Sequence, residues 1–353
     1  MFIIFIEKIL NLNVASALKS AAFCLKQTKE ATDLEDKMRS FDIYADSAAN
    51  LTAEMIKENG IGVVSYTCSI DGVDMECYEE GVPFEETAKK YYDAMRAGSE
   101  TKTTLVNAEK IIAAVTPSMQ AGRDVLFVTI SSNISGTYNQ AVMAAKQLKE
   151  LFPERKMLVA DSFNAALGEG LCALYAAKLG DMGESLEACH QWIENNKLNL
   201  HGIFTVDSLK YLKRGGRISA VVAIAGTILN IKPVLRGDEN GKLSVTCNER
   251  GRKKSIAKLI QLFKENVIDP ENQIIAISHA DCLDEANELA DKLRELGAKD
   301  IVMNYYDICT GSHAGPGTLA LFFLGKSRDK NSEKQPSASK FGWFKSKQKQ
   351  DKK

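Results

Sequence analysis

Between residues 41 and 325 the chain alternates two hydrophobic patterns. Short apolar runs rich in β-branched residues, at 41–45, 61–66, 125–130 and 157–160, predict strands buried on both faces. Segments whose apolar residues recur every three to four positions, at 53–59, 84–97, 107–120, 168–179 and 186–195, predict the helices between them. The run Val125-Leu126-Phe127-Val128-Thr129-Ile130 leads to Ala141, Val142, Ala144, Ala145 and Leu148, a strand passing through a polar turn into an amphipathic helix. Such units, repeated, predict an open parallel α/β sheet with its ligand site beyond the carboxyl ends of the strands.

Near residue 200 the pattern restarts. Strands are predicted at 202–206, 274–279 and 301–305, helices at 255–265 and 283–296, and apolar stretches at 220–231 and 319–324. Asp71-Gly72 and Asn240-Gly241 are hairpin signals. The chain of 353 residues is long enough for two ordinary domains at about 150 residues each. The reading is therefore an α/β domain with a parallel sheet at 41–200 and a second α/β domain at 201–325. A helical extension precedes them at 1–40, and a disordered basic tail follows at 326–353. That tail holds ten Lys or Arg against three Asp or Glu. Its Phe341, Trp343 and Phe344 sit among lysines, either in a solvated tail or in transient contact with a membrane surface or acidic partner.

Composition adds exclusions. A net charge of −1 argues against a general nucleic-acid binder. Eight cysteines without a Cys-x-x-Cys pair spell out neither a zinc site nor a disulfide framework, and predict free thiols in a reducing cytoplasm. The opening MFIIFIEKIL is broken at Glu7-Lys8 and lacks a basic leader, so it does not read as a signal peptide, and no apolar run reaches the length of a spanning helix. The expected location is the cytoplasm.

Candidate chemistry gathers at turns. Ser131, Ser132, Asn133, Ser135, Gly136 and Thr137 lie between a strand end and a helix start, where free amides and the helix dipole favour an anion. Either Ser135 only caps the helix, or the turn is a ligand cradle. Asp46-Ser47 and Asp161-Ser162 repeat an acidic-hydroxyl pattern that fits a capping pair or a site element equally. Thr103 and Thr104 put hydroxyls before another helix. Gly215-Gly216-Arg217 fits an oxyanion-binding turn, without a complete P-loop or dinucleotide motif. His313 lies in a Gly/Pro-rich turn, either as an ordinary hydrogen-bonded histidine or as part of a site. Neither a nucleophile elbow nor zinc-ligand spacing occurs. These residues describe an oxyanion receptor better than a reaction centre.

Several pieces occur in a specific order: Asp46-Ser47 through Asn50-Leu51-Thr52, Thr103-Thr104, Ser131 through Tyr138, Asp161-Ser162, Gly215-Gly216-Arg217-Ile218, Ile231-Lys232-Pro233 and His313-Ala314-Gly315-Pro316-Gly317. In that combination the chain resembles the DegV family, the bacterial fatty-acid-binding proteins that serve as the acyl-carrying subunit of fatty acid kinase. The resemblance implies two α/β domains with a long-chain fatty acid buried between them. It implies carboxylate contacts from Thr103, Thr104, Ser132, Ser135 and Gly136, with Ser132 foremost, and supporting turns at Asp46, Ser47, Asp161 and Ser162. Arg217 and His313 would face the head group or the partner. The ATP-dependent kinase subunit, not this one, would make the acyl-phosphate for phospholipid synthesis, so the chain is expected to be non-catalytic and to need neither cofactor nor metal. Family members follow the threonine with Ser-Gln-Pro, where this chain has Thr104-Leu105-Val106. Two other readings compete: an acyl hydrolase or transferase with Ser132 or Ser135 as nucleophile and His313 as base, and a lipid sensor or scaffold acting through the basic tail.

Overall fold

Four parallel strands form the first sheet, in the order β2–β1–β6–β7. They are β1 (Phe41–Asp46), β2 (Ile61–Val64), β6 (Asp124–Thr129) and β7 (Met157–Asp161). A three-stranded antiparallel sheet stands apart from it, with β3 (Thr67–Ile70) between β4 (Val73–Glu76) and β5 (Thr101–Thr104). The third sheet is mixed, in the order β10–β9–β8–β13–β11–β12. Its strands are β8 (Leu200–Thr205), β9 (Ile231–Gly237), β10 (Leu243–Arg250), β11 (Ile274–His279), β12 (Asp300–Tyr305) and β13 (Leu319–Leu324). This computed structural model describes residues 39–82, 84–218 and 230–329. The expected helical extension up to residue 38, the apolar stretch over 219–229 and the tail from residue 330 lie outside the described residues.

Helices follow the strands as the periodicity predicts: α1 (Ala53–Asn59), α2 (Phe84–Ala97), α3 (Ala108–Gln120), α4 (Thr137–Leu151), α5 (Leu167–Asp181) and α6 (Leu186–Asn196). The second half adds α7 (Lys210–Arg214), α8 (Arg252–Asn266), α9 (Leu283–Glu295) and α10 (Ile308–Ala314). Helix α5 organises the packing. Its sequence, LGEGLCALYAAKLGD, is small or apolar apart from Glu169, Lys178 and Asp181, and nearly all of it is buried, Glu169 included. It packs against strands of both large sheets at once, the position so apolar a helix requires.

The six-stranded sheet shows the two-residue period of a sheet covered on both faces. Ile203, Val234, Ile275, Ile277, Leu319, Leu321 and Phe323 pack with Leu259 and Phe263 of α8 and with Leu289 and Leu293 of α9. Their neighbours Phe204, Leu235, Ala276, Ala320 and Phe322 join the core shared with α5 and the parallel sheet.

Several local expectations change: His313, read as lying in a turn, is in α10, and residues 326–329, read as the start of a disordered tail, are described, with Arg328 buried. Thr101–Thr104 is a strand, not a helix start, because its residues pair with Thr67–Ile70. The expectation of free thiols fails for Cys68 and Cys77, which are disulfide-bonded. Cys68 is paired with Met75 across the hairpin, and Cys77 lies two residues further on the same face, so a spacing of nine residues suffices. Cys172, Cys189, Cys247, Cys282 and Cys309 are not disulfide-bonded. Among the described residues no helix is long and apolar enough to cross a membrane.

Candidate functional site

Between the two large sheets lies a cavity of about 180 Å³. Gly202 and Phe204 of β8, Phe322 of β13, Gly237 of β9 and Leu243 of β10 form one wall. They share a face: Phe322 pairs with Gly202, and Leu243 pairs with Gly237. The facing wall comes from the turns after β6 and β7, through Ile130, Ile134, Phe163 and Ala165. Polar groups gather at one end, where Tyr66, Thr103, Ser135, Arg217 and His313 reach the lining.

The polar end is built by elements remote in sequence. Strand β5 carries Thr103, whose Oγ1 lies 2.9 Å from Nε2 of His313 on α10. Burial holds the His313 imidazole down at about 4, with Arg217 and Arg214 adding repulsion, so the ring is neutral at neutral pH. Arg217 donates from Nε to the Ile134 carbonyl at 3.3 Å and from Nη1 to the Gly215 carbonyl at 2.5 Å. The Gly-Gly-Arg motif has a steric purpose here. A Cβ on Gly215 would lie 2.2 Å from Nδ1 of His313, so only glycine lets α7 approach the ring. Gly315, with φ of +88°, likewise takes the Tyr211 ring where a side chain would stand.

The serine turn divides its work. Ser131 donates from Oγ to the Gly241 carbonyl at 2.8 Å, and Asn133 donates from Nδ2 to the Asn240 carbonyl at 2.7 Å, fastening the β9–β10 hairpin to the parallel sheet. The Ser132 amide donates to Asp161 Oδ1 at 3.2 Å, and Ser132 is not among the cavity-lining residues. Ser135 and Gly136 do line it. The Ser135 hydroxyl lies 3.0 Å from the Tyr66 hydroxyl and accepts from the Thr137 amide at 3.3 Å, so it contributes to the helix start while facing the cavity. Thr104 is exposed and outside the lining, whereas Leu105, next in the chain, lines it.

A sequence profile described as an uncharacterised protein of the DegV family matches residues 40–326. This chain belongs to the DegV family. A DegV domain-containing protein of Clostridium perfringens is 39% identical over 293 residues, covering 83% of this chain and all of that one. A solved DegV family protein of Thermus thermophilus, described by its fatty acid binding, is 25% identical with a TM-score of 0.72, covering 82% of this chain and 100% of that one. A Thermotoga maritima protein, described as revealing a fatty acid binding function, is 27% identical with a TM-score of 0.69 over 82% of this chain and 100% of its own. The mixed α/β architecture with its parallel sheet is the DegV fold.

Behind the polar end this DegV chain buries three carboxyls. Asp46 accepts from the Ala48 amide at 3.0 Å and the Ile130 amide at 3.1 Å, fixing the end of β1 to the end of β6. Burial nevertheless raises its carboxyl to about 7. Burial also raises Asp307, which caps α10, to about 6, and holds Glu169 well above the usual range, with Asp46 and Asp307 adding repulsion. Asp46 thus caps the turn at Ser47–Ala49 and ties two strand ends together, while Asp161 accepts from the Ser132 and Phe163 amides, each at 3.2 Å, and so ties the turns after β6 and β7. Ser47 accepts from the Tyr66 amide at 3.0 Å, and Ser162 from the Asn164 amide at 3.1 Å. None of these four lines the cavity.

Several lining residues escaped the sequence reading. Phe204, Phe322 and Leu243 carry only the ordinary two-residue period of a strand, which does not distinguish a cavity wall from a core. Tyr66 lies at the end of a predicted strand with nothing to mark its hydroxyl, which is 2.6 Å from the Thr137 hydroxyl. Among the described residues no cluster of three or more His, Cys, Asp or Glu is placed to hold a metal ion.

Proposed function

We propose that this chain binds a long-chain fatty acid with its carboxylate at the Thr103–His313 end of the cavity and its hydrocarbon between the two large sheets. The observation that carries this is a hydroxyl–imidazole pair at one end of a lining otherwise dominated by Ile, Leu, Phe and Gly. A hydrocarbon tail gains about 0.8 kcal/mol per buried CH2, so the walls supply affinity. A carboxylate leaving water needs donors, and Thr103, Ser135, the turn at Gly136 and the neutral His313 ring supply them beside Arg217. Asp46, Ser47, Asp161 and Ser162 support the turns. Ser132 and Thr104 take a lesser part in this reading, since neither reaches the lining.

The two α/β units act as domains that divide near residue 200 and clasp the chain between them. In this reading the protein is the non-catalytic, cytoplasmic subunit that presents the bound acid to a separate ATP-binding kinase subunit for conversion to acyl-phosphate. The serine-nucleophile alternative draws less support, because Ser135 is engaged with Tyr66 and Thr137 while His313 is engaged with Thr103.

Mass spectrometry of an organic extract of the purified protein tests the binding, with a near-equimolar long-chain fatty acid as the expected result. Failure to co-purify any acyl chain, together with failure to bind palmitate or oleate in a displacement assay, overturns it. Adding an ATP-dependent fatty acid kinase subunit tests the second step: hydroxylamine-trapped acyl-phosphate should form only when this chain is present.

A further inference from the structure

Arg328 is not itself a lining residue, but it lies against Gly237, which lines the cavity, and the functional reading does not use it. Arg328 lies just past residue 326, where the family match stops. It is only 6% exposed. Its backbone amide donates to the Leu198 carbonyl at 2.9 Å, so the chain leaving β13 is strapped back against the segment after α6. The guanidinium then spans two elements. Nη1 donates to the Gly237 carbonyl at 2.7 Å and the Asp238 carbonyl at 3.0 Å, and Nη2 donates to the Lys197 carbonyl at 2.8 Å.

Its relation to the cavity follows from the sheet. Gly237 and Leu243 are directly paired and both line the cavity, so the side-chain position of Gly237 points to the cavity face. A Cβ built there would lie 2.7 Å from Arg328 Nη1 and 3.3 Å from the Phe163 carbonyl. The guanidinium therefore occupies, on the cavity side of the sheet, the space that the glycine leaves. This is the end remote from His313. Strand β8 runs from Leu200, near the Leu198 carbonyl that Arg328 holds, to Thr205, after which the chain turns into α7 and Arg217.

Among the described residues Arg328 makes no ion pair with a carboxylate, and its buried Nε has no hydrogen-bond partner. Its hydrogen bonds go to carbonyl oxygens, with Asp238 and Glu239 contributing only at longer range. Such a group is a poor neighbour for a methyl terminus, and pushing it aside would break three hydrogen bonds together.

We propose that Arg328 is the end stop of the cavity and sets the longest acyl chain this protein accepts. The proposal rests on the fatty-acid reading above and adds to it the residue that fixes chain-length specificity. Saturated acids from lauric to behenic, competed against a fluorescent fatty acid on the full-length protein, provide the test. In Arg328→Ala the stop is removed, and the preferred acid should move to a longer member of the series, with about tenfold tighter binding of the longest acids, as two further buried CH2 groups imply. In Gly237→Ala the added methyl, 2.7 Å from Nη1, drives the guanidinium toward the cavity, and the preference should move to shorter acids; this variant decides the matter if Arg328→Ala does not fold. A chain-length ranking unchanged from the parent in a folded variant overturns the end stop while leaving fatty-acid binding intact. A parent protein that binds none of the acids overturns the functional reading and the end stop with it.

Discussion

The Thr103 hydroxyl meets His313 Nε2 at 2.9 Å, and the two residues come from a three-stranded sheet and a short helix 210 positions apart. Neither partner is rigid on its own. Thr103 is placed by strand pairing with Cys68, and His313 by the close approach of Gly215 to its ring. If this pair grips the carboxylate, Thr103→Val and His313→Ala should each weaken fatty-acid binding by about tenfold to a hundredfold, since a hydrogen bond to a charged group is worth about 1.5–3 kcal/mol. Displacement titration of each variant checks this. Binding as tight as the parent's in both would remove the pair from the head-group site.

His313 also gives binding a proton signature. Without ligand its imidazole stays neutral down to about 4, because burial and the nearby Arg217 and Arg214 disfavour the cation. A carboxylate placed against the ring favours the cation and raises its proton affinity. Binding at a pH of about 5 should therefore take up protons, measured by calorimetry in buffers of different ionisation enthalpy. His313→Gln should abolish the uptake.

The buried carboxyls act in the opposite sense on stability. Glu169 titrates well above its usual range in the fold because burial comes first and Asp46 and Asp307 add repulsion. A carboxyl raised in the folded state binds more protons there than in the unfolded chain. Its stabilising contribution is complete below the unfolded value and is lost progressively as the pH rises toward the folded one. Glu169→Gln should therefore be more stable than the parent at a pH of about 8 and close to it at about 4. Urea unfolding at the two pH values measures the difference; equal differences at both would show that Glu169 does not titrate on unfolding.

Asn50 joins the two halves. It is buried, sits at a φ of +59°, and donates from Nδ2 to the Tyr305 carbonyl. Its Oδ1 accepts from the Ser278 hydroxyl at 2.7 Å, and its carbonyl accepts from Asn304 Nδ2 at 2.8 Å. Asn50→Ala strands the Ser278 hydroxyl and the Tyr305 carbonyl and puts alanine in a left-handed conformation. A loss of about 2–4 kcal/mol in denaturant stability is expected. An unchanged midpoint would show that the contact between the halves is held elsewhere.

The strands and helices were legible because burial imposes a period on them. Val125 to Ile130 had to be a fully covered strand, and the small, apolar residues of 168–179 left α5 with no polar face to turn outward. The turn residues were legible as polar, and their order along the chain carried the family resemblance. What the sequence could not assign was the direction of each hydroxyl. Ser131, Ser132 and Ser135 are chemically equivalent in the sequence, yet one fastens a hairpin, one caps Asp161 through its amide, and one faces the cavity.

The sequence by itself determined most of the strands and helices and the presence of hydroxyl, guanidinium and imidazole groups near their junctions, because these follow from nearest-neighbour periodicity and backbone preference. Only the tertiary structure decided that Thr103 meets His313, that three carboxyls share one buried region, and that Arg328 stands where Gly237 has no side chain. Those relationships depend on how sheets from distant parts of the chain pack. A residue's chemistry is local, but its neighbours across a core are set by the long-range pairing of strands and the volume left between them.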